Sequence, residues 1–88
     1  MRWYPIVKHQ HIQIILPDLG TSQVKFSLWY VQLGEKVLEG DRIAEVSIPG
    51  VTFDIQAPTD GKLIEKSALP NDLLSTGQVL GVIESASS

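Results

Sequence analysis

The stretch Gly34-Glu35-Lys36-Val37-Leu38-Glu39-Gly40-Asp41-Arg42-Ile43-Ala44-Glu45-Val46 decides the fold, because its pattern returns in residues 71–83. The second stretch lies at a constant offset of 37 residues, as from Gly40 to Gly77. Turn-forming and apolar positions are shared by both, with Asn71, Leu74, Leu80 and Ile83 on the positions of Gly34, Val37, Ile43 and Val46. Two similar halves are therefore predicted.

Upstream of the repeat, the two halves differ in length. Pro17 and Gly20 match Pro58 and Gly61 at an offset of 41, so the first half has four additional residues near 21–24. Those residues predict a longer loop in one half only.

Most apolar residues between the turns alternate with polar ones, as in Val24, Phe26, Leu28 and Tyr30. Such alternation places one face of a strand in a core. Strands are predicted at 12–16, 24–31, 42–47, 51–56, 62–66 and 79–84, with short pieces at 36–38 and 73–74. Because neither half can bury an apolar face alone, we expect an all-β flattened barrel or sandwich of two antiparallel sheets with pseudo-two-fold symmetry.

The predicted boundaries are an N-terminal extension at 1–11, a domain at 12–84 and a C-terminal tail at 85–88. Within the extension, Trp3, Tyr4, Ile6 and Val7 are expected to cover a sheet edge or to meet a partner.

Composition excludes several classes of function. The 88 residues have a net charge of −3, which disfavours nucleic acid and anionic membranes as partners. The absence of cysteine excludes disulfides, thiolate metal sites and thiol nucleophiles. No stretch has the length of a signal peptide core or a transmembrane helix. We expect a soluble cytoplasmic protein that is not an enzyme, since no nucleophile with a recognisable base and no phosphate loop is present.

Several short motifs in fixed order resemble the lipoyl/biotinyl attachment family, most closely the lipoyl domains of the acyltransferase components of 2-oxo-acid dehydrogenase complexes. The similar segments are Ile15-Leu16-Pro17-Asp18-Leu19-Gly20, Trp29-x-Val31-x-x-Gly34-Glu35-x-Val37-x-x-Gly40-Asp41, Ala57-Pro58-x-x-Gly61 and Gly77-Gln78-Val79-Leu80-x-Val82-Ile83-Glu84. Within them, Trp29 is expected to lie in the core between the sheets.

The resemblance implies a carrier lysine at the tip of a central hairpin, within a family sequence Asp-Lys-Ala. Residues 45–55 lie over that hairpin without a gap, which places Pro49, Gly50 and Val51 on the three tip positions. Glycine has no amine to acylate, so no cofactor is expected. Proline followed by glycine is typical of a type II turn, so the hairpin itself should persist.

Another lysine could accept lipoate or biotin if this interpretation is wrong. Lys36, Lys62 and Lys66 lie in or beside predicted strands, where an exposed solubilising role is the ordinary one. Lys25 is the strongest exception, because the long loop should lie near the hairpin.

Two other groups of polar residues could in principle form a site. His9 and His11 lie on one side of an extended chain, but no third ligand is evident, so no metal site is predicted. The acidic residues Asp41, Asp60 and Asp72 fall in turns, where a short carboxylate caps backbone N–H groups.

The predicted function is a lipoyl-type docking or assembly module without the acceptor lysine. Protein partners are expected, with components of a 2-oxo-acid dehydrogenase or biotin-dependent complex as candidates. The alternatives are a genuine carrier modified at another lysine and a structural module of a transport adaptor assembly. The candidate interaction surface combines loop and hairpin residues: Thr21, Ser22, Gln23, Lys25, Pro49, Gly50 and Val51.

Overall fold

Eight antiparallel strands form two four-stranded sheets in the computed structural model, which describes residues 8–87. The strands are β1 (Lys8–Ile15), β2 (Val24–Trp29), β3 (Lys36–Val37), β4 (Arg42–Ile48), β5 (Val51–Gln56), β6 (Gly61–Lys66), β7 (Leu73–Leu74) and β8 (Val79–Ser87). One sheet has the order β1-β8-β6-β3 and the other β5-β4-β2-β7. The all-β prediction is confirmed, and no helix among residues 8–87 is long and apolar enough to cross a membrane.

The predicted pseudo-two-fold symmetry relates the two sheets to each other. If each strand number in the first order is raised by four, with the count continuing from β8 to β1, the second order results. Turn contacts repeat at the same offset of 37 residues. The Leu38 N–H donates to Asp41 Oδ2 at 2.9 Å, and the Ser75 N–H donates to Gln78 Oε1 at 2.9 Å. Each half therefore builds its turn in the same way.

Within the part of the chain that the structure describes, the two sheets enclose a single core of 16 buried apolar residues. The apolar positions predicted from the repeat are all in it: Val37, Ile43, Val46, Leu74, Leu80 and Ile83. Phe26 is the largest fully buried side chain of the described residues. Its ring lies 5.1 Å from that of Trp29, centroid to centroid.

Strand β2 departs from strict alternation. The register with β4 shifts between Phe26 and Leu28, so the chain bulges there. A bulge reverses which side chains face the core. Leu28 and Tyr30, predicted to share the face of Phe26, are consequently exposed at 39% and 40%.

Trp29 was predicted to be a core residue, but it packs against the core while remaining half-buried. Its indole N–H donates to the backbone carbonyl of Ala68 at 2.9 Å. The polar end of the ring explains this position, because an indole buried without a partner would lose its hydrogen bond to water.

The first and last strands of the chain, the edge strand β1 and its neighbour β8, are longer than the alternation predicted. Strand β1 begins at Lys8 and β8 continues to Ser87, and the two pair over this length, with Lys8 opposite Ser87. Residues 8–11 thus pair at a sheet edge. Trp3, Tyr4, Ile6 and Val7 lie outside the described residues.

Candidate functional site

The β4–β5 hairpin forms the centre of the candidate site. Ile48 pairs with Val51, so Pro49 and Gly50 alone make the turn. Gly50 has a φ of +84°, as the second central residue of a type II turn requires, and proline supplies the negative φ at the first. Both tip residues are exposed. Proline and glycine therefore adopt this turn conformation at little conformational cost.

The hairpin offers no group for amide attachment of a cofactor. Residues 42–56 contain no lysine, and Gly50 has no side chain. A Cβ built on Gly50 would meet no atom within 4 Å, so space is available at the tip although the chemistry is not. The tip therefore does not fit a covalently attached lipoyl or biotinyl group.

The long loop approaches the hairpin, and together they line a groove of about 420 Å³. Predicted site residues meet there: Ser22, Gln23, Lys25 and Pro49. Val24, Ser47, Ile48 and Leu73 complete the lining. Lys25 is the one charged residue among them, so the groove combines apolar and neutral polar groups with a single cation.

Two local hydrogen bonds shape the loop. The Gly20 N–H donates to Asp18 Oδ1 at 2.8 Å, and the Gln23 N–H donates to Thr21 Oγ1 at 3.1 Å. Such side-chain turns hold a loop without a regular backbone ladder. Thr21 lines a neighbouring groove with Leu74 and is not brought to the hairpin groove.

Four lining residues were not predicted as site residues: Val24, Ser47, Ile48 and Leu73. Leu73 is 79% exposed on β7, opposite Lys25 on β2. Lys25 in turn pairs with Ser47. The alternation of β4 does not show that Ser47 and Ile48 line a groove, because that depends on which strands lie next to each other in the sheet.

A polar cluster that sequence reasoning missed lies at the base of the hairpin. Glu45 and Asp54 are cross-strand neighbours, which alone would be destabilising. The Tyr30 hydroxyl donates to Glu45 Oε1 at 3.2 Å, and an Arg42 Nη1 lies 3.7 Å from Asp54 Oδ2. The guanidinium of Arg42 also lies 4.5 Å from the centroid of the Tyr30 ring.

The pKa of Tyr30 is raised within this cluster. Loss of hydration is the largest cause, followed by the hydrogen bond to Glu45 and the negative charges of Glu45 and Asp54. The charge of Arg42 acts in the opposite direction. The raised pKa extends the range of alkaline pH over which the Tyr30 hydroxyl can donate, and the hydrogen bond to Glu45 links the residue that follows β2 to β4.

The lysines outside the hairpin lie along strands. Lys36 and Lys62 are exposed and directly opposite each other on β3 and β6. The ammonium of Lys66 lies 5.8 Å from the centroid of the Trp29 ring. Only Lys25, of these four, lines the groove beside the hairpin.

His9 and His11 converge on one carboxylate across the β1–β8 ladder. His9 Nδ1 lies 3.5 Å from one oxygen of Glu84, and His11 Nε2 lies 3.4 Å from the other. All three side chains are more than a third exposed. Among residues 8–87, no group of three acidic, histidine or cysteine side chains is arranged to hold a metal ion.

The carboxylates predicted to cap turns do so. Asp72 Oδ2 accepts from the Leu69 N–H at 2.9 Å, and Asp60 Oδ1 accepts from the Glu39 N–H at 2.6 Å. In each carboxylate, one oxygen is thus engaged by a backbone N–H group.

A family model covers most of the described chain. The biotin/lipoyl model, described as biotin-requiring enzyme, matches residues 12–83. The match spans both halves of the repeat.

Curated relatives are acyltransferase components of large complexes. The chain is 30% identical over 73 residues to the lipoamide acyltransferase component of the branched-chain alpha-keto acid dehydrogenase complex of Pseudomonas putida, covering 81% of this chain and 17% of that protein. It is 30% identical over 74 residues to the dihydrolipoyllysine-residue succinyltransferase component of the 2-oxoglutarate dehydrogenase complex of Rickettsia typhi, covering 82% and 19%. The chain thus spans about a fifth or less of the length of these relatives.

Proposed function

Because the chain belongs to the lipoyl/biotinyl attachment family, we propose that it is a lipoyl-type domain that acts in docking or assembly rather than as a carrier. The observation that supports this most directly is the Pro49-Gly50 tip. A swinging arm needs a primary amine at an exposed, protruding point, and the tip provides the protrusion without the amine.

The proposed docking surface is the groove between loop and hairpin. Its apolar and neutral polar lining suits a protein surface, and Lys25 favours a partner with a carboxylate at that point. The complexes named for the relatives suggest candidate partners, namely components of a 2-oxo-acid dehydrogenase complex.

One experiment tests the non-carrier proposal by intact mass after co-expression with lipoyl and biotin ligases. The native chain should keep its unmodified mass, while Gly50→Lys should gain a lipoyl or biotinyl group. Gly50→Arg is the matched control, because it adds a long cation without an acylatable amine. A mass gain on the native chain would overturn the proposal.

The docking part needs a binding measurement with purified components of a 2-oxo-acid dehydrogenase complex, by titration calorimetry. Lys25→Glu should weaken binding by about tenfold or more if the groove is the contact. Lys62→Glu, an exposed strand lysine on the other sheet, should leave it unchanged. Equal effects from both variants would show that the groove is not the docking surface.

A carrier modified at Lys25 is the second candidate, because of Lys25, Lys36, Lys62 and Lys66 only Lys25 lines the groove beside the hairpin. In that case the native chain would gain mass and Lys25→Arg would not. A mass gain that persists in Lys25→Arg would exclude this site.

A further inference from the structure

We propose that the free edge of β5 is a pairing surface for a second copy of the chain, so that two copies join edge to edge in antiparallel orientation. This interface is separate from the docking groove, which lies on the β2 and β7 side of the hairpin. It does not depend on whether the chain is a carrier.

Among residues 8–87, β5 is a long edge strand whose outer side pairs with no other strand. It terminates its sheet and contains six residues, and of the other edge strands only β1 is long, with eight residues, since β3 and β7 contain two each. The two-residue turn makes Ile48 and Val51 a hydrogen-bonded pair, so the backbone groups of Thr52 and Asp54 point away from β4. Within residues 8–87, neither residue makes a backbone hydrogen bond outside the strand ladders.

The composition of β5 gives this edge little protection. Exposed edges are usually blunted by lysine, proline or very short length. Residues 51–56 read Val-Thr-Phe-Asp-Ile-Gln, which are mostly strong strand formers and include neither lysine nor proline. The one charged residue of β5 is Asp54, and its Oδ2 lies 3.7 Å from Nη1 of Arg42. The positive charge of Arg42 reduces the electrostatic repulsion between Asp54 and a second strand.

Strand β5 is complementary to itself in one antiparallel register. With Phe53 opposite Phe53 of the other copy, Val51 lies opposite Ile55 and Thr52 opposite Asp54. The outward backbone groups of Thr52 and Asp54 can then exchange hydrogen bonds, and the two Phe53 residues form a close aromatic cross-strand pair. No like charges are directly opposite in this register.

A groove beside the edge has room for the incoming side chain. Ile15, Pro17, Asp54, Ile55 and Gln56 line a volume of about 250 Å³ between the sheet edges. In the proposed register, Val51 of one copy would lie next to Ile55 of the other, at this groove. The apolar groups that a dimer would cover are the exposed ones along this edge: Ile15 at 43%, Val51 at 47% and Phe53 at 39%. The edge of β5 thus offers both apolar side chains and outward-pointing backbone hydrogen-bonding groups. The β5 strand of a second copy can contact the apolar side chains and pair with the backbone groups at the same time.

Thr52→Pro tests the edge through its backbone, with Thr52→Val as control. Proline removes an outward N–H and places its ring at the edge, while the ladder to β4 needs no N–H from this residue. Sedimentation over a range of concentrations should show a reversible dimer for the native chain and Thr52→Val. Thr52→Pro should raise the dimer dissociation constant by about tenfold or more. A native chain that stays monomeric to about 1 mM would overturn the proposal.

Single-cysteine variants test the register independently, because the chain contains no cysteine. Under mild oxidation, Phe53→Cys should form a disulfide-linked dimer, since facing residues of a non-hydrogen-bonded pair have Cα atoms about 4.5 Å apart, within disulfide range. Asp54→Cys is the matched neighbour and should link far less, because Asp54 lies opposite Thr52. Folding of each variant is checked by circular dichroism. Folded Phe53→Cys that does not link, or links no more than Asp54→Cys, would refute the register.

Discussion

Gly61→Ala should destabilise the protein much more than the same substitution at Gly40. Gly61 begins β6 and has a φ of +156°, and Gly40 has a φ of +88° in the turn before β4. A Cβ on Gly61 would overlap the backbone oxygen of Glu84 and would lie 2.6 Å from Cγ2 of Ile83. A Cβ on Gly40 would meet nothing within 4 Å.

The expected difference follows from these contacts. An alanine at positive φ costs about 1–2 kcal/mol, and both variants bear a cost of this kind. At Gly61, β8 must also move, because the closest atom belongs to its backbone rather than to a flexible side chain. Overpacking of this kind adds about 1–3 kcal/mol. The chain as a whole should have a free energy of unfolding of about 4–13 kcal/mol, scaling from its length.

Urea unfolding followed by far-ultraviolet circular dichroism measures both variants against the native chain. Gly61→Ala should have a free energy of unfolding about 1–3 kcal/mol below that of Gly40→Ala, with an unchanged dependence on urea. Equal unfolding midpoints for the two variants would refute the close approach of β6 to β8.

Three further predictions concern the polar cluster, a turn and the core. The raised pKa of Tyr30 means that its stabilisation is complete below the unfolded value of about 10 and is lost as pH rises through the folded value, so Tyr30→Phe should unfold with a weaker pH dependence between about pH 9 and 11, measured by urea midpoints. Asp72→Ala removes the acceptor for the Leu69 N–H and should lower the free energy of unfolding by about 1 kcal/mol; an unchanged midpoint in urea would contradict this. Phe26→Ala empties a fully buried position and should cost about 3–5 kcal/mol, so a thermal scan that shows no clear loss would argue against the core as described.

Periodicity worked where a residue's environment depends on its near neighbours along the chain. The repeat from Gly34 to Val46 and from Asn71 to Ile83 predicted both the core positions and the turn caps, because turns and alternation are local properties. The Pro49-Gly50 turn followed from φ preferences alone. In the same way, the strand centres and the two-sheet architecture could be predicted.

Strict alternation failed at β2, where the bulge turned Leu28 and Tyr30 outward. A bulge places two residues of one strand opposite one residue of its partner, so it depends on how the two strands pair. The sequence of a single strand therefore gives little indication of it. The lengths of β1 and β8 were underestimated for a similar reason. Polar residues such as His9 and His11 join the ladder because β8 offers them a partner.

The sequence alone determined that the chain is a two-half, all-β domain and that its hairpin tip has no lysine. Only the tertiary structure decided which side chains meet. It brought Lys25 and Leu73 beside Pro49, and it joined Tyr30 to Glu45 across 15 positions of sequence. Within residues 8–87, it also left the outer edge of β5 unpaired. The physical reason is that turns and alternation arise from local backbone preferences, whereas grooves, clusters and edges depend on the order of strands in a sheet, which follows from burying one shared core.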